Sequence, residues 1–138
     1  MKLLVLKQPG MPQSPGCEEM LAELAKKAEL VIANTEEIRS GAATGEYFYN
    51  AHGAYYPIEL EDALFDFFAQ GGGLLHIGGM PFDKAMTCEN GEWHEVVRTL
   101  GDLRNHEGWG RLSMPMDVFR ARLGLTPYSP AFPDVAYD

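Results

Sequence analysis

The chain has 138 residues, 46% of them hydrophobic and 11% aromatic, an ordinary globular make-up at one-domain length, and its longest apolar run falls far short of the ~20 residues needed to cross a bilayer. A net charge of -9 with only 11 basic residues, scattered rather than clustered, argues against a nucleic-acid partner, whose phosphates must be neutralised by grouped Lys and Arg. The acidity reads most simply as solubility. Two cysteines, Cys17 and Cys88, are too few for a disulfide framework and read as free thiols, with one bridge between them as the alternative. The apolar run after Met1 is too short for a signal-peptide core, so the expected compartment is the cytoplasm if Met1 is the native start.

In chain order, Lys2–Leu6 is an apolar run of the kind that forms a buried strand. The Pro- and Gly-rich stretch after it is a loop. Ser14 followed by Pro15 reads as an N-cap with proline at the first helical position, opening a helix to about Ala28 with Met20, Leu21, Leu24, Ala25 and Ala28 on one face. Leu30–Asn34 is a second strand, and the polar stretch from Thr35 to Glu46 a loop or short helical turn. Tyr47–Ala51 is a third strand. From Pro57 the residues Leu60, Ala63, Leu64, Phe67 and Phe68 form one apolar stripe of a helix, stopped by Gly71 to Gly73. Leu74–Gly78 is a fourth strand, containing His76. Beyond Pro81, Asn90-Gly91 is a hairpin or turn dipeptide. Trp93, Val96, Val97 and Leu100 have helical spacing, a further helix is expected from Pro115 to before Gly124, and residues 125–138 form an extended proline-rich tail.

Strands alternating with helices across short loops imply βαβ units. The expected fold is therefore α/β, a flavodoxin-like three-layer sandwich with a mostly parallel sheet. Four strands are fewer than such a domain usually has: either the tail supplies a fifth, or the single domain spanning residues 1–138 is incomplete. Ligands bind outside the carboxyl ends of strands in such sheets, so the loops that matter are Lys7 to Gln13, Asn50 to Tyr56 and Gly78 to Asp83. Gln8, Asn50, His52, Gly78, Gly79 and Asp83 are the candidate ligand-binding residues. Tyr55 and Tyr56 add a surface on which a sugar ring could stack, or else they cover the helix start. In a ligand role, His52→Ala is expected to weaken binding and leave the melting temperature alone. Cys17 near a helix N-terminus is a thiol the dipole would acidify, yet no base or oxyanion site accompanies it, and a structural thiol is the simpler reading. Cys88, His94 and His106 match no zinc spacing. Trp109, Phe132 and Tyr137, in stretches with little expected structure, suit either a docking surface or packing onto the sheet.

The stretch "YFYNAHGAYYPIELEDALFDFFAQGGGLLHIGGMPF", Tyr47 to Phe82, resembles the class I glutamine amidotransferase-like superfamily. The resemblance is to its non-catalytic branches: ThuA-like proteins, the trimerisation domain of family 42 β-galactosidases, and domains N-terminal in large glycoside hydrolases. "FDKAMTCENGEWHE" continues in the manner of the glycosidase-linked members. In catalytic members the corresponding strand ends in a Gly-x-Cys-x-Gly turn, whose thiol is activated by a His with Glu two residues on. Here the cysteine's place falls at Gly78, and His94-Glu95 and His106-Glu107 are adjacent pairs with the wrong spacing. The turn itself is compatible with glycine, which accepts strained backbone. The resemblance thus implies an accessory or interaction domain associated with carbohydrate-active enzymes, with no catalytic residue, cofactor or metal of its own. Its implied partners are a second copy or the rest of a larger glycosidase-type chain, and a carbohydrate ligand. The alternative is a small-molecule or carbohydrate-binding domain, or a hydrolase, using the strand-end crevice.

Overall fold

Leu3 to Leu6 are four apolar residues in a row with no polar face to turn toward water, so the strand they form belongs inside a sheet covered on both sides. β1 (Lys2–Leu6) meets that requirement. It pairs in parallel with β2 (Glu29–Ala33) on one side and β3 (Tyr47–Asn50) on the other, and Leu3, Leu4, Val5 and Leu6 are all buried. Each such side chain contributes roughly 1.5–3 kcal/mol on burial. The structure, a computed structural model, describes residues 1–77, 80–96, 119 and 123, and the chain divides into two compact units, Met1–Val96 and Val97–Asp138.

In the first unit, β1 leads through a long loop into α1 (Cys17–Ala25) and then β2. The helix starts later than Ser14-Pro15 suggests and ends short of Ala28. Gly16, with φ 76°, is the residue before it, and the Cys17 N–H donates to the Ser14 carbonyl at 3.1 Å, so Ser14 closes a turn instead of capping the helix. Asn34, expected as the last residue of the second strand, instead caps α2 (Thr35–Arg39). Its side chain accepts from the Glu37 N–H while Glu37 accepts from the Asn34 N–H, a complete capping box.

After β3 come β4 (Tyr55–Pro57), which the sequence reading leaves as a turn, then a 3-10 turn (Ile58–Leu60), α3 (Glu61–Ala69) and β5 (Gly73–Leu75). The glycine stop of α3 is a Schellman closure: Gly71, at φ 100°, donates to Phe68 O and Gly72 to Phe67 O. β5 ends at Leu75, so His76 lies beyond the strand rather than within it. β5 pairs in parallel with β3, which completes a four-stranded parallel sheet of order β2-β1-β3-β5.

The period-two alternation of β1 divides its side chains between two faces. Leu3 and Val5 form one buried cluster with Cys17, Leu21, Tyr49 and Ala51, on the α1 side. On the other face Phe48 meets Phe68 edge-on at 6.4 Å and stacks at 6.4 Å with Phe82, which in turn meets Tyr56 edge-on at 5.6 Å.

A second, three-stranded sheet has the order β4-β6-β7, built with β6 (Lys84–Glu89) and β7 (Glu92–Glu95). Asn90 (φ 53°) and Gly91 (φ 82°) turn the hairpin, the two positive dihedrals of a type I′ turn. Trp93 therefore lies in β7 opposite Cys88. Its helical spacing with Val96 is overridden by the turn, which commits the chain to alternation. In the second unit, Leu123 N–H donates to Phe119 O at 3.0 Å, within the stretch where a helix from Pro115 is expected. The expectations for Val97 to Leu100, His106, Trp109 and the tail lie outside the described residues.

Phe82 is 2% exposed, yet holds φ 55°, a conformation that a bulky residue adopts only when its packing compels it. Phe82→Ala is expected to cost about 3–5 kcal/mol in denaturant unfolding. Ile32→Ala, at a side chain 52% exposed, is expected to stay within about 0.5 kcal/mol.

Candidate functional site

Parallel register brings the strand ends to one edge: Leu6 is level with Ala33 and with Asn50. Strand order reverses at β1, since β2 lies to one side of it and β3 to the other. That reversal is where a crevice opens in open parallel sheets.

His52 fills it. The side chain is 1% exposed. The Gln8 N–H donates to its Nε2 at 2.8 Å, and its Nδ1 lies 2.7 Å from the Pro12 carbonyl oxygen. Because Nε2 accepts, the ring proton sits on Nδ1 and is donated to Pro12, which assigns the neutral tautomer. Burial pushes the imidazole pKa below its ordinary value, the Pro12 carbonyl works against that, and the Lys7 charge adds to the lowering. Both ring nitrogens are engaged by main chain.

Asn50, 5% exposed, is turned onto its own loop. Its Oδ1 accepts from the His52 N–H at 2.8 Å, and its Nδ2 donates to the Tyr55 carbonyl at 2.6 Å and the Gly53 carbonyl at 3.3 Å. This is an Asx turn, the geometry that suits asparagine after a strand. Asp83 reaches the same loop through its main chain: the Asp83 and Lys84 N–H groups both donate to Ala54 O. Gln8, Asn50 and His52 are therefore one hydrogen-bonded cluster with Asp83 beside it, while Gly78 and Gly79 lie outside the described residues. Of the tyrosines expected to line the crevice, Tyr56 is buried with its hydroxyl donating to Glu61 at 2.6 Å.

Cys17 is buried, and its thiol donates to Gln13 Oε1 at 3.2 Å. Burial, then the neighbouring Glu18 charge, push its pKa up against a smaller opposing effect of Lys7. That is the reverse of the acidification a helix N-terminus alone suggests. Cys88 is a free, exposed thiol. Among the described residues, no group of three or more His, Cys, Asp and Glu converges on a possible metal position.

Beside the His52 cluster, toward β2, lies an open cleft of about 320 Å³ lined by Gln8, Asn34, Thr35, Arg39, Glu59 and Trp93, with Glu36. Gln8 Oε1 accepts from the Thr35 N–H at 2.9 Å, tying the start of α2 to the loop after β1. Glu59 is held by the Thr87 hydroxyl, which donates to its Oε1 at 3.0 Å. Trp93 leans on that loop at Gly10, where φ is 88° and an added Cβ would come to 3.2 Å from the indole. Of these residues the sequence reading finds Gln8 and misses Thr35, Glu59 and Trp93. The usable signals were Asn34-x-x-Glu37, a capping box that places Thr35 at a strand end, and Asn90-Gly91, which puts Trp93 on a strand.

His52→Ala leaves the Gln8 N–H and the Pro12 carbonyl unpaired around a cavity, so it is expected to cost about 2–4 kcal/mol, reversing the expectation that it spares the melting temperature. A lowered folded pKa means that the unfolded chain binds the proton first, so the stability due to His52 is complete above about 6.5 and is lost as pH falls below it. Melting curves from pH 8 to pH 5 are expected to show that loss, and His52→Gln to flatten it. Against known proteins, the chain matches no family model, no curated protein and no solved structure, so the reading of the site rests on its own geometry.

Proposed function

We propose that the chain is a non-catalytic amidotransferase-like domain of flavodoxin-like, three-layer build, an accessory or interaction module that works beside carbohydrate-active enzymes. The build is supported by the strand order β2-β1-β3-β5, which begins the flavodoxin order of strands, and by α1 and α3 meeting side chains from opposite faces of the sheet. The observation that carries the functional reading is how the groups best suited to chemistry are used. The His52 nitrogens hold two loops together, and the Cys17 thiol is buried against Gln13 with its pKa raised. Nucleophilic catalysis needs an acidified thiol beside an available base, and both groups are engaged in packing instead. The association with glycosidases comes from the Tyr47 to Phe82 resemblance.

The second reading, a domain that binds a small molecule, is favoured by one feature, the cleft carrying Trp93. Both are readings of a domain that binds, and the remaining alternative, a hydrolase using the strand-end crevice, is what a turnover measurement decides.

The purified chain is expected to release no ammonia from glutamine and no nitrophenol from aryl glycosides above a protein-free control. Turnover that disappears in Cys17→Ser or His52→Gln, with folding intact, would overturn the non-catalytic reading. Light scattering over a concentration range is expected to show a dimer or trimer. A monomer throughout would remove self-association and leave docking onto the rest of a longer glycosidase-type chain.

A further inference from the structure

We infer that the cleft between α2, the 3-10 turn and β7 binds a neutral polyhydroxylated ring, a single monosaccharide unit, with its apolar face on Trp93 and its hydroxyls on Thr35 and Glu59. This goes beyond the accessory-domain reading, which names no site, and rests on the second reading of the Trp93 cleft, whose ligand class it names.

Two oxygens carry the inference. Thr35 Oγ1 and Glu59 Oε2 are both buried and find no hydrogen-bond partner among the described residues. Buried polar atoms are nearly always paired, and each exception calls for an explanation. Both residues line the same cleft. Gln8 adds a third function, because its Oε1 is taken by the Thr35 N–H while its Nε2 makes only a long 3.4 Å contact with the adjacent Pro9 carbonyl. The cleft thus offers a carboxylate oxygen that accepts, an amide that donates and a hydroxyl that does either. Adjacent hydroxyls on one ring complement that mixture, since each both donates and accepts. Because both oxygens are buried as they stand, this binding requires a side-chain rotation of Thr35 and Glu59 toward the entering hydroxyls.

Size and charge narrow the class. About 320 Å³ is at the small end of the roughly 300–1,000 Å³ usual for ligand sites, the scale of a small ligand such as one sugar ring. Among the described residues Arg39 is the one cation lining the cleft, an exposed side chain paired with Glu36 at 2.8 Å, while Glu59 places a carboxylate in the cleft that opposes an anionic ligand. A quaternary ammonium is ordinarily held by a cage of several rings, and Trp93 is the one aromatic side chain lining this cleft among the described residues. Trp93 is half-buried and seated on Gly10, so its ring offers a fixed apolar surface beside polar groups, the pairing of features that suits a sugar.

The test is titration of the full chain, in a Trp109→Phe background that leaves Trp93 as the fluorophore, with D-glucose, D-galactose, D-xylose and N-acetylglucosamine. Tetramethylammonium and inorganic phosphate serve as competing probes, and saturation-transfer NMR as a second readout. A saturable response to at least one sugar is expected, weakened roughly threefold to tenfold in Thr35→Val and in Glu59→Gln, and abolished in Trp93→Leu as read by saturation-transfer NMR, since that variant has lost the fluorophore. Thr35→Val is expected to melt no lower than the parent, because it removes an unpaired buried oxygen, and Glu59→Gln, which keeps the acceptor for the Thr87 hydroxyl, is read alongside its own melting curve. The inference is overturned if no sugar gives a saturable response, if sugar binding survives all three substitutions, or if tetramethylammonium or phosphate binds in place of sugars. None of these readouts depends on self-association or on a partner glycosidase, so the accessory-domain reading and this inference fail on separate evidence.

Discussion

The His52 imidazole accepts a hydrogen bond from the Gln8 main chain and donates one to the Pro12 carbonyl, and through it the loop after β1 is fastened to the loop after β3. Those loops flank the reversal of strand order at β1, where sheets of this type usually leave room for a ligand. The tie is reinforced by main chain: Ala51 donates to Leu6 O and Ser14 to Ala51 O. Asn50 then holds the β3 loop in the shape that delivers His52, taking the His52 N–H on its side-chain oxygen. Much of the carboxyl edge depends on this cluster, because it orders a ten-residue loop rich in Pro and Gly that has little hydrogen bonding of its own.

Closing the crevice moves the available space sideways. The same Gln8 whose N–H meets His52 turns its side chain toward Thr35, so one residue joins the closed crevice to the open cleft. The second sheet supplies the rest of that cleft: Thr87 on β6 steadies Glu59, and β7 presents Trp93. The β6–β7 hairpin thus contributes to the site as well as to the fold. Its position follows from β4, which pairs in parallel with β6 immediately after the β3 loop.

Patterning made the parallel sheet legible. Lys2–Leu6 coincides with β1 because four apolar residues allow no other placement, and the glycine stop after Phe68 is a backbone requirement visible in the letters themselves. The β6 strand is invisible by the same measure, since Lys84–Glu89 has no clean alternation and is held by pairing on both sides. Trp93 shows two local signals in conflict, a helical spacing and a turn dipeptide; the turn prevails because its two positive dihedrals fix register at once. His52 lies at the strand-end edge its position suggests, but its role in tying two loops was not readable. Its partners are a main-chain N–H and a carbonyl 44 and 40 residues away, groups every non-proline residue has and every residue has respectively, so their identity leaves no mark in the sequence.

The buried polar groups of this edge fall into two kinds, and the difference is informative. His52 and Asn50 have partners for their ring nitrogens and side-chain amide, and such groups stiffen a structure because each bond is strong away from water. Thr35 Oγ1 and Glu59 Oε2, a short way along the same edge, have none among the described residues. An unpaired buried oxygen destabilises the fold that carries it. Two of them on residues that line one cleft with Trp93, next to a cluster whose imidazole and Asn50 amide are paired, mark the place among the described residues where hydrogen-bonding capacity is left over. Rigidity on one side of Gln8 and unmet hydrogen-bonding capacity on the other is the arrangement a binding site needs: a preorganised wall, and groups whose partners arrive with the ligand.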